Sequence, residues 1–324
     1  MENLIEVSNL RKQFGRLVAV DGVSLTIRRG DVLGFLGPNG AGKSTTMKMI
    51  TGFLTPTSGT IKVCGTNLAT APLAAKARIG YLPEGAPAYS DMTPASFLDF
   101  IADIRGLNRA TKVARIREVV ARIHLEGVLT QSIDTLSKGF KRRVGLAQAI
   151  LHDPDILIMD EPTDGLDPNQ KHEVRTLIRE MAPTKGIIIS THNLEEVDAV
   201  CTKAVIIANG RLLFTGSPSE LEARSRYHNA VTLGVDPAQA EEIAADLRAL
   251  PQIAAVDVVS RATGSTFLTA IPKDQKPLFA LVQQFIIDQK WSVREMFVEN
   301  GRLDEVFRSI TTNVIRHSVE ENLS

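Results

Sequence analysis

Three observations predict an α/β fold built on a buried parallel sheet. Short continuous apolar runs, "DVLGFLG", "ILIM" and "GIIIS", read as strands covered on both faces. Helical patterns separate these runs, as alternating α/β units require. A glycine-rich stretch, "GPNGAGKST" at 37–45, follows the first run and opens a helix.

From the start of the chain, residues 2–34 alternate apolar runs such as "LIEVSNL" and "AVDGVSLTI" with turn residues, the pattern of antiparallel strands feeding one buried strand. A helix is predicted from Lys43 to Gly52, then a short strand at "GTIKVCG". From about Thr93 to Glu126 the period becomes helical, in "PASFLDFIADIRGL" and "KVARIREVVARIHL". With the helix that opens at "LSKGF" this forms an inserted helical subdomain over about 86–150. The α/β pattern resumes with "DILIMDEP", a helix at 168–182, "GIIISTH", a helix at 193–201, and a strand and hairpin in "KAVIIANGRLLFTG". Past Pro218 the order changes to strand, helix, two strands, helix, strand and a last helix at "LDEVFRSI", a ferredoxin-like order. The expected division is therefore 1–220, then a small α+β domain at 226–312 and a frayed tail at 313–324.

The 324 residues carry 37 basic and 37 acidic side chains, so charge offers no case for nucleic acid as a partner. Arg28 with Arg29, and Lys141 to Arg143, read as solvated faces. Cys64 and Cys201 lie far apart with no metal-type spacing, which predicts packed thiols in a reducing compartment. The six histidines do not cluster. "MENLIEV" lacks a basic stretch leading into an apolar one, and no run reaches the roughly 18 apolar residues of a membrane span. A cytosolic chain is expected, with any membrane crossing left to another subunit.

Gly37, Pro38, Asn39, Gly40, Ala41, Gly42, Lys43, Ser44 and Thr45 contain the pattern G-x-x-x-x-G-K-[ST], a phosphate-binding P-loop. Its glycines let backbone N–H groups approach phosphate oxygens; Lys43 offers a charge to the β and γ phosphates, and Ser44 a hydroxyl to Mg²⁺. A nucleoside triphosphate such as ATP is the implied ligand. "ILIMDEP" ends a strand in adjacent carboxylates, which alternation sends to different sides of the strand tip. Asp160 is assigned to the Mg²⁺ shell and Glu161 to orienting or deprotonating the attacking water. His192 ends "IIISTH", where a ring N–H can reach the γ-phosphate. A second anion site is suggested by "LSKGFKRRVGLAQAI", a glycine-permissive turn ahead of a basic amphipathic helix.

The order of P-loop, "LSKGF", "DEP", "GLD" and "STH" resembles the ATP-binding cassette ATPases over residues 1 to about 220. The resemblance implies two cassettes paired head to tail, each signature helix capping the γ-phosphate held by the other. Ser137 and the Gly139 backbone, in the LSKGF variant of LSGGQ, would supply those donors in trans. Phe14 sits where the family stacks an aromatic on adenine, and Asp167 in the loop crossing the dimer seam. Glu84 stands where the family has glutamine; a carboxylate there approaches Mg²⁺ through water but loses the amide donor. Lys138 and Phe140 also depart from the signature, and Lys138 either adds a cation for the partner's phosphate or points to solvent.

With "IGYLPEGAPAYSDMT", "GLAQAI" and "LDEVF", the chain is most similar to the bacterial exporter branch that includes gliding-motility, sodium-efflux and multidrug ATPases. That implies an ATP-hydrolysing subunit at the cytoplasmic face of the inner membrane, with a separately encoded transmembrane permease and a second cassette, its own copy or a related one. The rival expectations are a soluble mechanical ATPase acting on ribosomes or DNA, and a regulatory ATPase sensing a ligand through the C-terminal domain.

Overall fold

The computed structural model describes residues 2–86, 88–260 and 266–311, and the expected tail at 313–324 lies outside them. The chain divides into two compact units, the first ending at Ser217 and the second beginning at Pro218.

The first unit opens with β1 (Asn3–Phe14) and β2 (Leu17–Arg28), a hairpin whose register pairs Phe14 with Leu17. Gly15, at φ 56°, supplies the left-handed residue this tight turn needs. Next come β3 (Val32–Leu36), α1 (Lys43–Ile50), β4 (Ser58–Val63), β5 (Thr66–Asn67), α2 (Pro72–Ala77) and β6 (Ile79–Leu82). α2, β5 and β6 had no reading in the sequence: they span six, two and four residues, too short for a periodic signal.

Three helices follow, α3 (Pro94–Ile104), α4 (Arg109–Ile123) and α5 (Lys138–Ile150). Thr93 closes a capping box with Ser96 ahead of α3, and Asn108 caps α4. The unit ends with β7 (Ile156–Asp160), α6 (Pro168–Met181), β8 (Gly186–Thr191), α7 (Leu194–Val200), β9 (Lys203–Ala208) and β10 (Arg211–Gly216).

Two sheets result, a four-stranded one in the order β2-β1-β4-β5 and a six-stranded one in the order β10-β9-β3-β8-β7-β6. The six-stranded sheet is parallel except at β10. Every residue of β3, β6, β7 and β8 is buried, which explains their unbroken apolar runs. Alternation divides these strands between two cores. Ile156, Ile158 and Ile188 pack with α1 and the antiparallel sheet, whereas Leu157, Met159, Ile187 and Ile189 pack with α3 to α6. The C-terminal ends of β3, β6, β7 and β8 point the same way, so the loops that leave them meet at one edge.

The second unit begins with α8 (Pro218–Glu222), then β11 (Val231–Val235), α9 (Ala240–Arg248), β12 (Ile253–Ser260), β13 (Thr266–Pro272), α10 (Phe279–Gln289) and β14 (Val293–Val298). Residues 303–311 are again helical. The four strands pair antiparallel in the order β12-β13-β11-β14. Val231, Leu233, Leu268 and Ala270 share a core with Ile243, Leu247 and Val282 of the two helices that follow β11 and β13. Among the described residues no helix is long and apolar enough to cross a membrane.

Candidate functional site

The loop after β3 is tightly held. A methyl group added at Gly42, φ 106°, would stand 2.5 Å from the Ala19 carbonyl, and one at Gly37 would collide with the Ile207 carbonyl. Only glycine lets the backbone lie this close to its neighbours. The Lys43 ammonium folds back over the loop, donating to the Gly37 carbonyl at 2.7 Å and the Pro38 carbonyl at 3.2 Å. Lys43 is 6% exposed. Burial lowers its pKa, and the nearby carboxylates of Glu161, Asp160 and Glu84 work against that.

Outside this loop opens a cavity of about 480 Å³, lined by Phe14, Leu17, Ala19, Asn39 to Thr45, Glu84 and Glu161. Phe14 is 47% exposed beside it, with the Lys12 ammonium 5.0 Å from its ring centre. β1, β6 and β7 thus bring Phe14, Glu84 and Glu161 to the P-loop from distant parts of the sequence. A second cavity, about 410 Å³, is lined by Lys48, Tyr81, Pro83, Glu84, Gly85 and Asp160. Glu84 borders both.

Asp160 is 1% exposed. The Ser190 hydroxyl, level with it on β8, donates to Oδ1. Glu161 does diverge from Asp160, but not by strand alternation. β7 ends at Asp160, and Glu161 takes a left-handed backbone at φ 51°. Its N–H still bonds the Ser190 carbonyl at 3.0 Å, and its Oε2 lies 2.9 Å from His192 Nδ1. The two residues assigned to catalysis are therefore in direct contact.

Mg²⁺ favours oxygen ligands and few protein groups. Ser44 lines the P-loop cavity, and Asp160, with Oδ2 left over from the Ser190 bond, lines the adjoining one. This hydroxyl and carboxylate fit that donor chemistry. Among the described residues no cluster of three or more His, Cys, Asp or Glu could form a metal cage.

The signature residues lie elsewhere. Ser137 caps α5, its hydroxyl accepting from the Phe140 N–H at 3.4 Å. Gly139 is buried, and an added Cβ would meet the Gln170 amide group at 2.6 Å. Neither lines the P-loop cavity. Asp167 caps α6 in a capping box with Gln170.

One expectation is overturned. Lys141 to Arg143 do not form a solvated face, because Arg142 is 6% exposed and turned inward. Its guanidinium donates to the carbonyls of Asp160 at 2.7 Å, Pro162 at 3.1 Å and Pro83 at 3.4 Å. It thereby ties the signature helix to both carboxylate loops. The available signal was helical spacing: Gly139, Arg142, Leu146 and Ala149 lie on the buried stripe of α5. Ser190 and Tyr81 also escaped notice.

Residues 20–164 match the ABC transporter family. A Nod factor export ATP-binding protein I from Ralstonia nicotianae is 37% identical over 219 residues, which cover 67% of this chain and 68% of that one. A probable multidrug ABC transporter ATP-binding protein, YbhF of Escherichia coli, is 36% identical over 69% of this chain, and the match spans only 39% of its length. Among solved structures, an ATP-binding subunit of an ABC transporter superposes with a TM-score of 0.64 at 32% identity, covering 68% of this chain and 92% of that one.

Proposed function

The chain belongs to the ABC transporter ATP-binding family, and from that premise we propose that it is the ATP-hydrolysing subunit of a bacterial exporter. The observation that carries the chemical half is the joint lining of one cavity by the P-loop, Phe14, Glu84 and Glu161. Phosphates would lie against the loop's N–H groups, where Lys43 exchanges its carbonyl partners for phosphate oxygens. Phe14 offers its ring to adenine. Glu161 orients or deprotonates the attacking water, while His192 holds the Glu161 carboxylate and faces the γ-phosphate. Ser44 and Asp160 would hold Mg²⁺, with Glu84 approaching through water; the ion's contribution is to neutralise charge on the β and γ phosphates.

Ser137 and Gly139 serve the nucleotide of a second cassette, so ATP draws two chains together and hydrolysis releases them. The movement passes through α3 and α4 to a separately encoded permease, which places the subunit on the cytoplasmic face of the inner membrane. The second unit is read as a ferredoxin-like accessory domain. Nod factor export and multidrug export, named for two relatives, make an outward-moved small molecule the substrate class.

The test is reconstitution with the proposed permease partner. Inverted vesicles holding both chains should accumulate cargo only with hydrolysable ATP, and vesicles with the Glu161→Gln chain should not. An ATP-independent uptake, or hydrolysis that never couples to the membrane protein, overturns the exporter reading.

A further inference from the structure

Two polar groups with complementary needs line the same cavity. Tyr81 is 8% exposed, and its hydroxyl, sealed from solvent, has no hydrogen-bond partner among the described residues. A buried hydroxyl left unpaired is costly, so the phenol calls for an acceptor, and carboxylates line the cavity beside it. Phe53 packs against the Tyr81 ring at 5.5 Å between centres, and the strand pairs Tyr81 with Ile158, which fixes the ring in place. The cavity also holds Lys48 at its rim and the carboxylates of Glu84 and Asp160. Asp160 takes the Ser190 hydroxyl on Oδ1, and its Oδ2 is the oxygen assigned to the proposed Mg²⁺. Glu84, exposed and three residues on from Tyr81, has no protein hydrogen-bond or ion-pair partner among the described residues. Both carboxylates lie near enough to push the phenol's pKa upward, with burial the larger cause, so the phenol is a donor at every working pH.

We propose that Tyr81 is a positioning residue whose hydroxyl donates to the Glu84 carboxylate, directly or through one water, when Glu84 turns inward toward the metal side of the P-loop cavity. An amide at position 84 would carry its own donor; the carboxylate has none, and the phenol beneath it supplies one. This inference rests on the proposed placement of Glu84 at the Mg²⁺ side.

The experiment measures binding, not turnover, of a fluorescent ATP analogue in the Glu161→Gln background, with Mg²⁺ titrated and with EDTA as reference. Tyr81→Phe keeps the ring and removes an unpaired hydroxyl, so thermal stability should hold or rise slightly. The Mg²⁺-dependent gain in affinity should weaken by about tenfold, the scale of one hydrogen bond to a charged acceptor, while affinity in EDTA stays unchanged. In a Glu84→Ala background the same substitution should have no further effect. An unchanged Mg²⁺ response in Tyr81→Phe, or an equal loss with and without Glu84, overturns the inference alone. If Glu84→Ala itself leaves the Mg²⁺ response untouched, the placement of Glu84 falls and the inference with it. A wild-type chain that fails to bind the nucleotide at all sinks the function instead.

Discussion

A left-handed backbone at a residue with a side chain costs roughly 1 kcal/mol, and Glu161 carries one at φ 51°. The turn lifts its carboxylate off the line of β7 and sets it beside His192, where it also lines the P-loop cavity. Glu161→Gln is nearly isosteric and keeps that turn, so ATP affinity should persist while hydrolysis falls by about 10²-fold or more in a single-turnover assay. Glu161→Gly should behave differently. It relieves the backbone strain, so the melting temperature should hold or rise by the equivalent of about 0.5 kcal/mol, yet hydrolysis should be lost just as fully. A Glu161→Gly chain that hydrolyses normally would remove this residue from the chemistry. Lys43→Ala should abolish nucleotide binding in a filter or fluorescence assay without unfolding the chain, at a stability cost of about 1 to 3 kcal/mol because the buried Gly37 carbonyl loses its ammonium donor. The P-loop was legible because its glycine spacing is dictated by backbone contact. The φ of Glu161 was not, because a glutamate in a strand run carries no mark of the turn that ends it.

The elements repeat this contrast. β3, β7 and β8 are buried on both faces, so their apolar runs announce them, whereas β6 is a four-residue edge strand defined by its pairing with β7. Arg142 was hidden for another reason: a run of three basic residues looks solvated until the helix stripe is drawn through it. Arg142→Leu should take the guanidinium away from the carbonyls of Asp160 and Pro162, while Pro83 keeps the Ala86 N–H, and cost on the order of 3 kcal/mol in a denaturant melt. Arg142→Lys should recover little of this, because the three carbonyls are met by Nε, Nη1 and Nη2 at separate positions that one ammonium nitrogen cannot occupy together. His152, just past α5, gives the element a pH signature. Burial is the main cause that lowers its pKa to about 4, with Arg105 adding to it. The unfolded imidazole titrates near its ordinary 6.5, so between pH 6.5 and 4 the unfolded chain binds the proton that the folded chain refuses. Stability from this residue is complete above pH 6.5 and drains away as pH falls toward 4. His152→Leu should flatten that limb of a melting-temperature profile, and an unchanged slope would assign the acid loss elsewhere.

Across the whole molecule the sequence reads two helix starts as anion sites, and of the two only α1 borders the P-loop cavity. α1 opens on it; α5, with Ser137 at its cap and Gly139 buried, does not. The resemblance assigns the second to another chain's nucleotide, and complementation can test that division. Gly139→Asp places a carboxylate where the partner's phosphate oxygens would come, so it should block ATP-dependent dimerisation by like-charge repulsion. The substitution also crowds the Gln170 amide, 2.6 Å from any Cβ at that position, and Gln170 closes the α6 capping box. Pairing it with Gln170→Ala makes room at a cost of less than about 1 kcal/mol, since Asp167 keeps its own capping bond. The Gly139→Asp, Gln170→Ala chain retains its P-loop, Asp160, Glu161 and His192 and should bind ATP as the parent does. Alone it should stay monomeric, and so should Lys43→Ala, which cannot hold nucleotide. Mixed, the two supply one composite site with an intact P-loop from one chain and an intact signature from the other. In a Glu161→Gln background, light scattering should then show a dimer that needs both chains and ATP, at roughly half the site occupancy of the parent. If the Gly139→Asp, Gln170→Ala chain fails to bind ATP as a monomer while Gln170→Ala binds normally, α5 serves its own P-loop and the two-chain site is wrong.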